Sequence, residues 1–378
     1  MIYLDNNATT PILPEVKEEI IKTIDFYGNP SSLHQLGREV RERIEGARAK
    51  IAKFINSGKD NIIFTSGGSE ANNTVLNSFV RKYKDKAKIL VSKIEHSSVL
   101  EHAKFLSREY EVDYIEVDSK GKIILEDIEK KLKTGKKTLI SVMIANNEIG
   151  IVQDMKEIIN LSRKYGAVIH SDAVQAFGKI KIDVEELDVD YMTFSGHKIN
   201  APKGIGAIYF KNKDIIPLIH GGHQEMGLRS GTENTIGIIA FGKAVEIRER
   251  DFDFYIKKTS ALRERLIKGI TEIPDVIVNT DLKNSVPNTL NVSFKGVEGE
   301  SIMLYLDLEG IEVSTGSACS SGELEPSHVL LAIGREPELA HGSIRFSLGL
   351  QNTEEEIDYT VEKLKNIISK LRQMSTVY

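Results

Sequence analysis

Between Asn61 and Phe210 the chain repeats one pattern, a short apolar run followed by a longer amphipathic stretch. The runs are NIIFTS, AKILVS, DYIEV, TLISVMIA, AVIHSD, DYMTFS and GIGAIYF. Between several of them apolar residues recur at helical spacing, as in VLEHAKFLSREY and DMKEIINLSRKYG, the second stopped by Gly166, as a glycine just past a helix should stop it. Alternation of this kind predicts an α/β domain with a mainly parallel seven-stranded central sheet. In such sheets ligands sit at the carboxyl ends of the strands, so the residues following each run are the first candidates for a site.

The remainder reads differently. A long helical stretch spans roughly Thr235 to Thr271, after which the strands TLNVSF and GSIRFSLG are mixed with helices. The last helix, TEEEIDYTVEKLKNIISKLRQM, opens with Thr353 and Glu356 spaced as a capping box. Two domains are expected: a large one over 15–254, and a smaller α+β one built from 1–14 together with 255–378. A chain of 378 residues, 40% hydrophobic and 28% charged, can bury a core for each.

Charge and cysteine usage narrow the setting. The net charge is −5, and the one dense basic run, RKYKDKAK, reads as a solvated helix end, so no direct nucleic-acid partner is expected. A single cysteine, Cys319, excludes an intramolecular disulfide framework. The N-terminus MIYLDNNATT lacks the features of a secretion signal, and no apolar run reaches membrane-spanning length. The expectation is a cytoplasmic protein without membrane association.

Three positions after strands carry chemistry. NIIFTS runs into GGSEANN, where Gly67, Gly68 and Ser69 open a helix whose unpaired N–H groups can hold an anion; the spacing is not that of a dinucleotide site. AVIHSD ends at Asp172, a carboxylate that either caps the following helix or faces a protonated ring nitrogen. DYMTFS ends in Ser195-Gly196-His197-Lys198, and a lysine buried there would have its ammonium destabilised enough for the amine to form a Schiff base. Those are the three things a protein must supply to pyridoxal 5′-phosphate.

With those residues in view, the sequence resembles the pyridoxal-phosphate enzymes of the aminotransferase class V kind, and within them the cysteine desulfurases. The matching motifs run in order from YLDNNATT through GNPSSLH, FTSGGSEANN, EHSSVLE, ANNEIG, HSDAVQAFGKI, FSGHK, PKGIGA, LRSGTEN, NTLNVSF, GSACSSG and EPSHVLLA to GSIRFSLG. They span Tyr3 to Gly349, almost the whole chain. The resemblance implies the aspartate-aminotransferase-like (type I) fold of pyridoxal-phosphate-dependent transferases.

It also implies roles. Lys198 would bind the cofactor and then move the substrate's Cα proton; Lys203, in Pro202-Lys203-Gly204, is the obvious competitor, but its turn setting and the family pattern favour Lys198. Asp172 would keep the ring nitrogen protonated, while Gln175 and Asn147 would hydrogen-bond the ring hydroxyl or the substrate. His96 would stack on the ring and exchange protons. Gly68, Ser69, Ser195 and His197 would contact the phosphate, and Thr232 would reach it from the second subunit of a homodimer. Arg345 would clamp the carboxylate of L-cysteine, although an arginine on a strand can equally form a structural ion pair. Cys319, in a GSACSSG segment whose small residues supply mobility, would take the sulfur as a persulfide, leaving L-alanine. The sulfur would pass to an acceptor protein, an Fe–S scaffold or a tRNA-thiolating enzyme.

Some features stand apart. His220 and His223 have an H-x-x-H spacing but no third ligand near, so no metal is expected. Ile199-Asn200-Ala201 and GGHQE depart from the family pattern next to the cofactor loop. Two alternatives remain open on the sequence: a selenocysteine lyase or class V aminotransferase, neither of which needs Cys319, and a catalytically silent scaffold of the same fold.

Overall fold

The computed structural model describes residues 1–315 and 325–374. Among the described residues the strands are β1 (Ile2–Tyr3), β2 (Ile62–Thr65), β3 (Ala87–Ser92), β4 (Glu111–Ile115), β5 (Lys137–Ser141), β6 (Val168–Asp172), β7 (Tyr191–Ser195), β8 (Gly206–Phe210), β9 (Val276–Val278), β10 (Thr289–Phe294), β11 (Ile311–Glu312) and β12 (Ser343–Ser347). All seven apolar runs of the repeating segment enter one sheet, in the order β2-β8-β7-β6-β5-β3-β4. The pairings from β4 across to β7 are parallel, and only β8 runs against its neighbours on both sides. The expected α/β architecture with its mainly parallel sheet is therefore observed.

The strands are apolar almost without alternation because both faces are covered. Beneath the sheet's carboxyl edge, the ring of Phe177 is fully buried and meets Phe54, Phe194 and Phe241 at centroid distances of 5.2, 4.6 and 6.0 Å. Burying one such side chain contributes about 1.5–3 kcal/mol. The edge strand β2 is closed by side chains: Phe64 N–H donates to Glu225 Oε2 at 2.7 Å, and Arg48 bonds both Glu225 and the Ile62 carbonyl. Those bonds occupy groups that an edge strand otherwise leaves open.

A second hydrophobic cluster unites Leu4 with Leu262, Leu266, Leu290, Phe294, Ile302, Phe346 and Leu364. Here β12, β10 and β9 form a small sheet, and β1 pairs in parallel with β11. The helix Glu354–Met374 begins with the expected capping box, since Thr353 N–H reaches Glu356 Oε2 at 3.2 Å and Glu356 N–H reaches Thr353 Oγ1 at 3.3 Å. Gly166, at φ +66°, stops the helix Met155–Arg163 as expected.

Two details differ from the sequence reading. The helical stretch after Thr235 is two helices, Thr235–Arg250 and Phe252–Ile270, meeting at Asp251. Their apolar faces serve different cores: Ile238, Phe241 and Val245 pack with the large sheet, Leu262, Leu266 and Ile270 with the second cluster. The basic run is not solvated throughout, because Lys88 at its end is 3% exposed in β3 and pairs with Glu111 at 2.9 Å. No helix among the described residues is long and apolar enough to cross a membrane.

Candidate active site

The carboxyl ends of the large sheet's strands open into a cavity of about 260 Å³. Gly68, Ser69, His96, Asn147 and Asp172 line it, as do Gln175, Ser195, His197, Lys198 and Arg345. Residues more than 270 positions apart in the chain thus face one space. Of the remaining expected residues, Thr232 is exposed and is not among those lining the cavity. Cys319 lies in 316–324, outside the described residues. His220, His223 and Lys203 are exposed and stand away from the cavity lining.

Each side chain is positioned by a local rule. Gly68 starts the helix Gly68–Tyr83, and a Cβ there would come within 3.0 Å of Val174 Cγ2. A bare Cα therefore keeps the helix start, with its unpaired N–H groups, open to the cavity. Behind it, β8 passes so close that a Cβ on Gly206 would lie 2.7 Å from the Gly67 carbonyl carbon. Asp172 ends β6, 4% exposed, and both its oxygens are oriented: Asn72 Nδ2 donates to Oδ2 at 2.7 Å and Val174 N–H to Oδ1 at 2.9 Å. Asn72 is held in turn by Thr193 Oγ1–H, which donates to its Oδ1 at 2.6 Å.

His96 caps the helix Ser97–Leu106, and its Nδ1 accepts the Ser98 N–H at 3.1 Å. The neutral ring then carries its proton on Nε2. Burial holds His96 below the ordinary histidine value; Asp172 pulls it up, while Lys198 and His328 push it further down. His197 is driven down to about 4, chiefly by burial and then by Lys198 and Lys203, and its Nδ1 lies 3.1 Å from Thr9 Oγ1.

Lys198, half-buried after the single turn Gly196–Lys198, directs its Nζ to the carbonyls of Asn7 and Ala8 at 2.6 and 2.7 Å. Arg345 reaches the cavity from β12. Its Nη2 pairs with Asp5 at 2.7 Å, its Nη1 donates to the Asn147 carbonyl at 3.2 Å, and its buried Nε has no hydrogen-bond partner among the described residues. The ion pair weighed in the sequence thus exists, on a guanidinium that also lines the cavity.

Sequence reasoning missed several buried polar groups. Asn7 and Asn72 lie in quoted motifs, and Asn72 stands one helical turn beyond Gly68, but nothing in the pattern marks them as lining residues. Glu95 is fully buried beside His96; its Oε1 accepts the Met143 N–H at 2.6 Å and its Oε2 has no partner among the described residues. Burial, then the charge of Asp172, pushes its carboxyl well above the usual carboxylate range. The neutral Glu95 thus contributes stability that is present below the ordinary value near 4.5 and is lost as pH rises through the raised one. Glu95→Gln, which cannot ionise, is expected to melt a few degrees above the parent at alkaline pH and to lose that advantage in acid. Melting curves against pH that stay parallel would contradict this origin.

The residues fit pyridoxal 5′-phosphate: a glycine-cleared helix start for a phosphate, an oriented carboxylate for a ring nitrogen, a lysine amine for a carbonyl carbon, and an arginine with an unused N–H. Fold and donor set together define a pyridoxal-phosphate enzyme.

Comparison with known proteins takes this further. The aminotransferase class-V family matches residues 2–360. A cysteine desulfurase IscS of Dictyoglomus turgidum is 49% identical over 99% of this chain and 96% of its own. Among solved structures, a NifS-like protein superposes with a TM-score of 0.92 at 40% identity, covering 98% of this chain and all (100%) of its own. SspA in complex with cysteine superposes with a TM-score of 0.79 at 31% identity, covering 93% and 100%. The chain belongs to the aminotransferase class-V family, among its cysteine desulfurases.

Proposed function

We infer that the cavity removes sulfur from L-cysteine, and the observation that carries the residue assignments is the convergence of Lys198, Asp172 and Arg345 on one space. Gly68 and Ser69, with Ser195 and His197, would hold the cofactor's phosphate, and Asp172 would face its ring nitrogen. Gln175 and Asn147 would bond the ring hydroxyl or the substrate, and His96 would stack on the ring. Once bound, pyridoxal phosphate supplies an electron sink for negative charge at the substrate's Cα.

Lys198 would first hold the cofactor and then carry the Cα proton, its amine being presented by the Asn7 and Ala8 carbonyls. Arg345, steadied by Asp5, would clamp the substrate carboxylate. The Cys319 thiolate would attack the substrate sulfur. An S–S bond forms as the Cβ–S bond breaks, the bonding pair stays with carbon, and the protonated fragment leaves as L-alanine. His96, with its proton on Nε2, would serve proton exchange above the ring.

The same reading covers the assembly. Thr232 would complete the phosphate site of a second subunit in a homodimer, which accounts for its exposure in a single chain. Residues 15–254 would form the large domain, and 1–14 with 255–378 the small one; the pairing of β1 with β11 and the place of Leu4 in the second cluster favour that division. The persulfide would go to a cytoplasmic acceptor protein, an Fe–S scaffold or a tRNA-thiolating enzyme.

The test is to give the cofactor-loaded protein L-cysteine and measure alanine together with sulfur retained on the chain. Equal amounts of alanine and bound sulfur are expected in the first turnover without reductant. Alanine absent despite bound cofactor would overturn the reading.

A further inference from the structure

The motif HSDAVQAFGKI contains a lysine to which the reaction above gives no part. Lys179 is 1% exposed, among the largest fully buried side chains of the described residues. Gly178 precedes it at φ +75°, where a Cβ would lie 3.0 Å from both Ile199 Cγ2 and Arg248 Cγ. That tight left-handed turn leaves Lys179 inside the fold, behind the cavity wall and outside its lining.

Its amine closes a ring of hydrogen bonds. Lys179 Nζ donates to Asn7 Oδ1 at 2.8 Å and to Gln175 Oε1. Gln175 Nε2 donates to the Asn7 carbonyl at 2.9 Å, the same oxygen that accepts the Lys198 amine at 2.6 Å. Among the described residues no carboxylate bonds Lys179; its two acceptors there are neutral amide oxygens. A buried cation would be expected to sit against an anion. Burial, with Lys198, Arg248 and Arg345 around it, holds the Lys179 amine well below the usual lysine value.

We propose that Lys179 is a positioning residue: by donating to Gln175 Oε1 it fixes which end of that amide is used, so that Gln175 offers the cavity an N–H and not a carbonyl. Gln175 Nε2 has two hydrogens, of which the Asn7 carbonyl takes one. The second is left for an oxygen of the bound group. Without Lys179 the amide can turn over and present a carbonyl to that oxygen, an acceptor against an acceptor. The ring also fixes Asn7, whose carbonyl Lys198 shares, so the cofactor lysine and the cofactor's side partner are set by one buried amine.

The proposal rests on the cofactor reading above, and its test reads cofactor binding directly. Lys179→Met keeps length and removes the donor; Gln175→Ala removes the group it orients. Dissociation constants for pyridoxal phosphate and the visible absorbance of the bound form would be measured for the parent, both variants and the pair. Lys179→Met is expected to weaken binding about tenfold and move the absorbance maximum, and to add nothing when Gln175 is already alanine. Unchanged affinity and absorbance, or an undiminished loss in the Gln175→Ala background, would overturn it. If Lys179→Met does not fold, Lys179→Gln is used; part of the loss is expected, and full affinity with unchanged absorbance would overturn the proposal. A parent protein that binds the cofactor but yields no alanine would instead sink the desulfurase reading and leave this ring untouched.

Discussion

Lys198→Ala is expected to lower alanine production from L-cysteine by about 10²–10⁴-fold, the range that general acid–base groups contribute. The amine is held at the end of β7 by two main-chain carbonyls, at 2.6 and 2.7 Å from Asn7 and Ala8, and its side chain lines the cavity. Its removal should leave the fold in place, because the side chain is only half-buried and the aromatic cluster around Phe177 is untouched. Lys203 provides the control. It is exposed and outside the cavity lining, so Lys203→Ala should stay close to parent activity. Steady-state alanine assays on the two variants settle the matter, and the opposite pattern would move the cofactor lysine to Lys203.

Cys319→Ala is expected to abolish the sulfur adduct seen by intact-mass measurement and to reduce alanine formation by about 10³-fold or more, since no other thiol exists in the chain to take the sulfur. Cofactor absorbance should persist in this variant, because the residues proposed to hold the cofactor, Asp172, Lys198 and the Gly68 helix start, are left unchanged. Alanine or another carbon product formed at the parental rate without Cys319 would favour a lyase or aminotransferase chemistry. The two variants are therefore expected to fail differently: on the proposed roles, one would lose the proton carrier and the other the sulfur carrier.

Much of the architecture was legible because apolar periodicity is a local property. The seven runs became the seven strands of one sheet, and Thr353 with Glu356 capped their helix. Boundaries moved where long-range pairing intervened. TLISVMIA reads as one strand, but β5 ends at Ser141, and two residues on the Met143 N–H is taken by Glu95 Oε1. The break at Asp251 was hidden for a related reason: both flanking segments have helical apolar spacing, and only their separate cores distinguish them.

At the site, residue types carried the chemistry. A glycine-led helix start, an aspartate at a strand end and a lysine in a polar turn announce their uses through charge and backbone freedom, which any sequence displays. Partners are another matter. Lys179 and Asn7 stand 172 positions apart, and the pairing of Arg345 with Asp5 spans 340. A buried polar side chain is stable only with its partner in place. Which lysine is an exposed surface charge and which closes a ring behind Lys198 is therefore settled when the strands assemble.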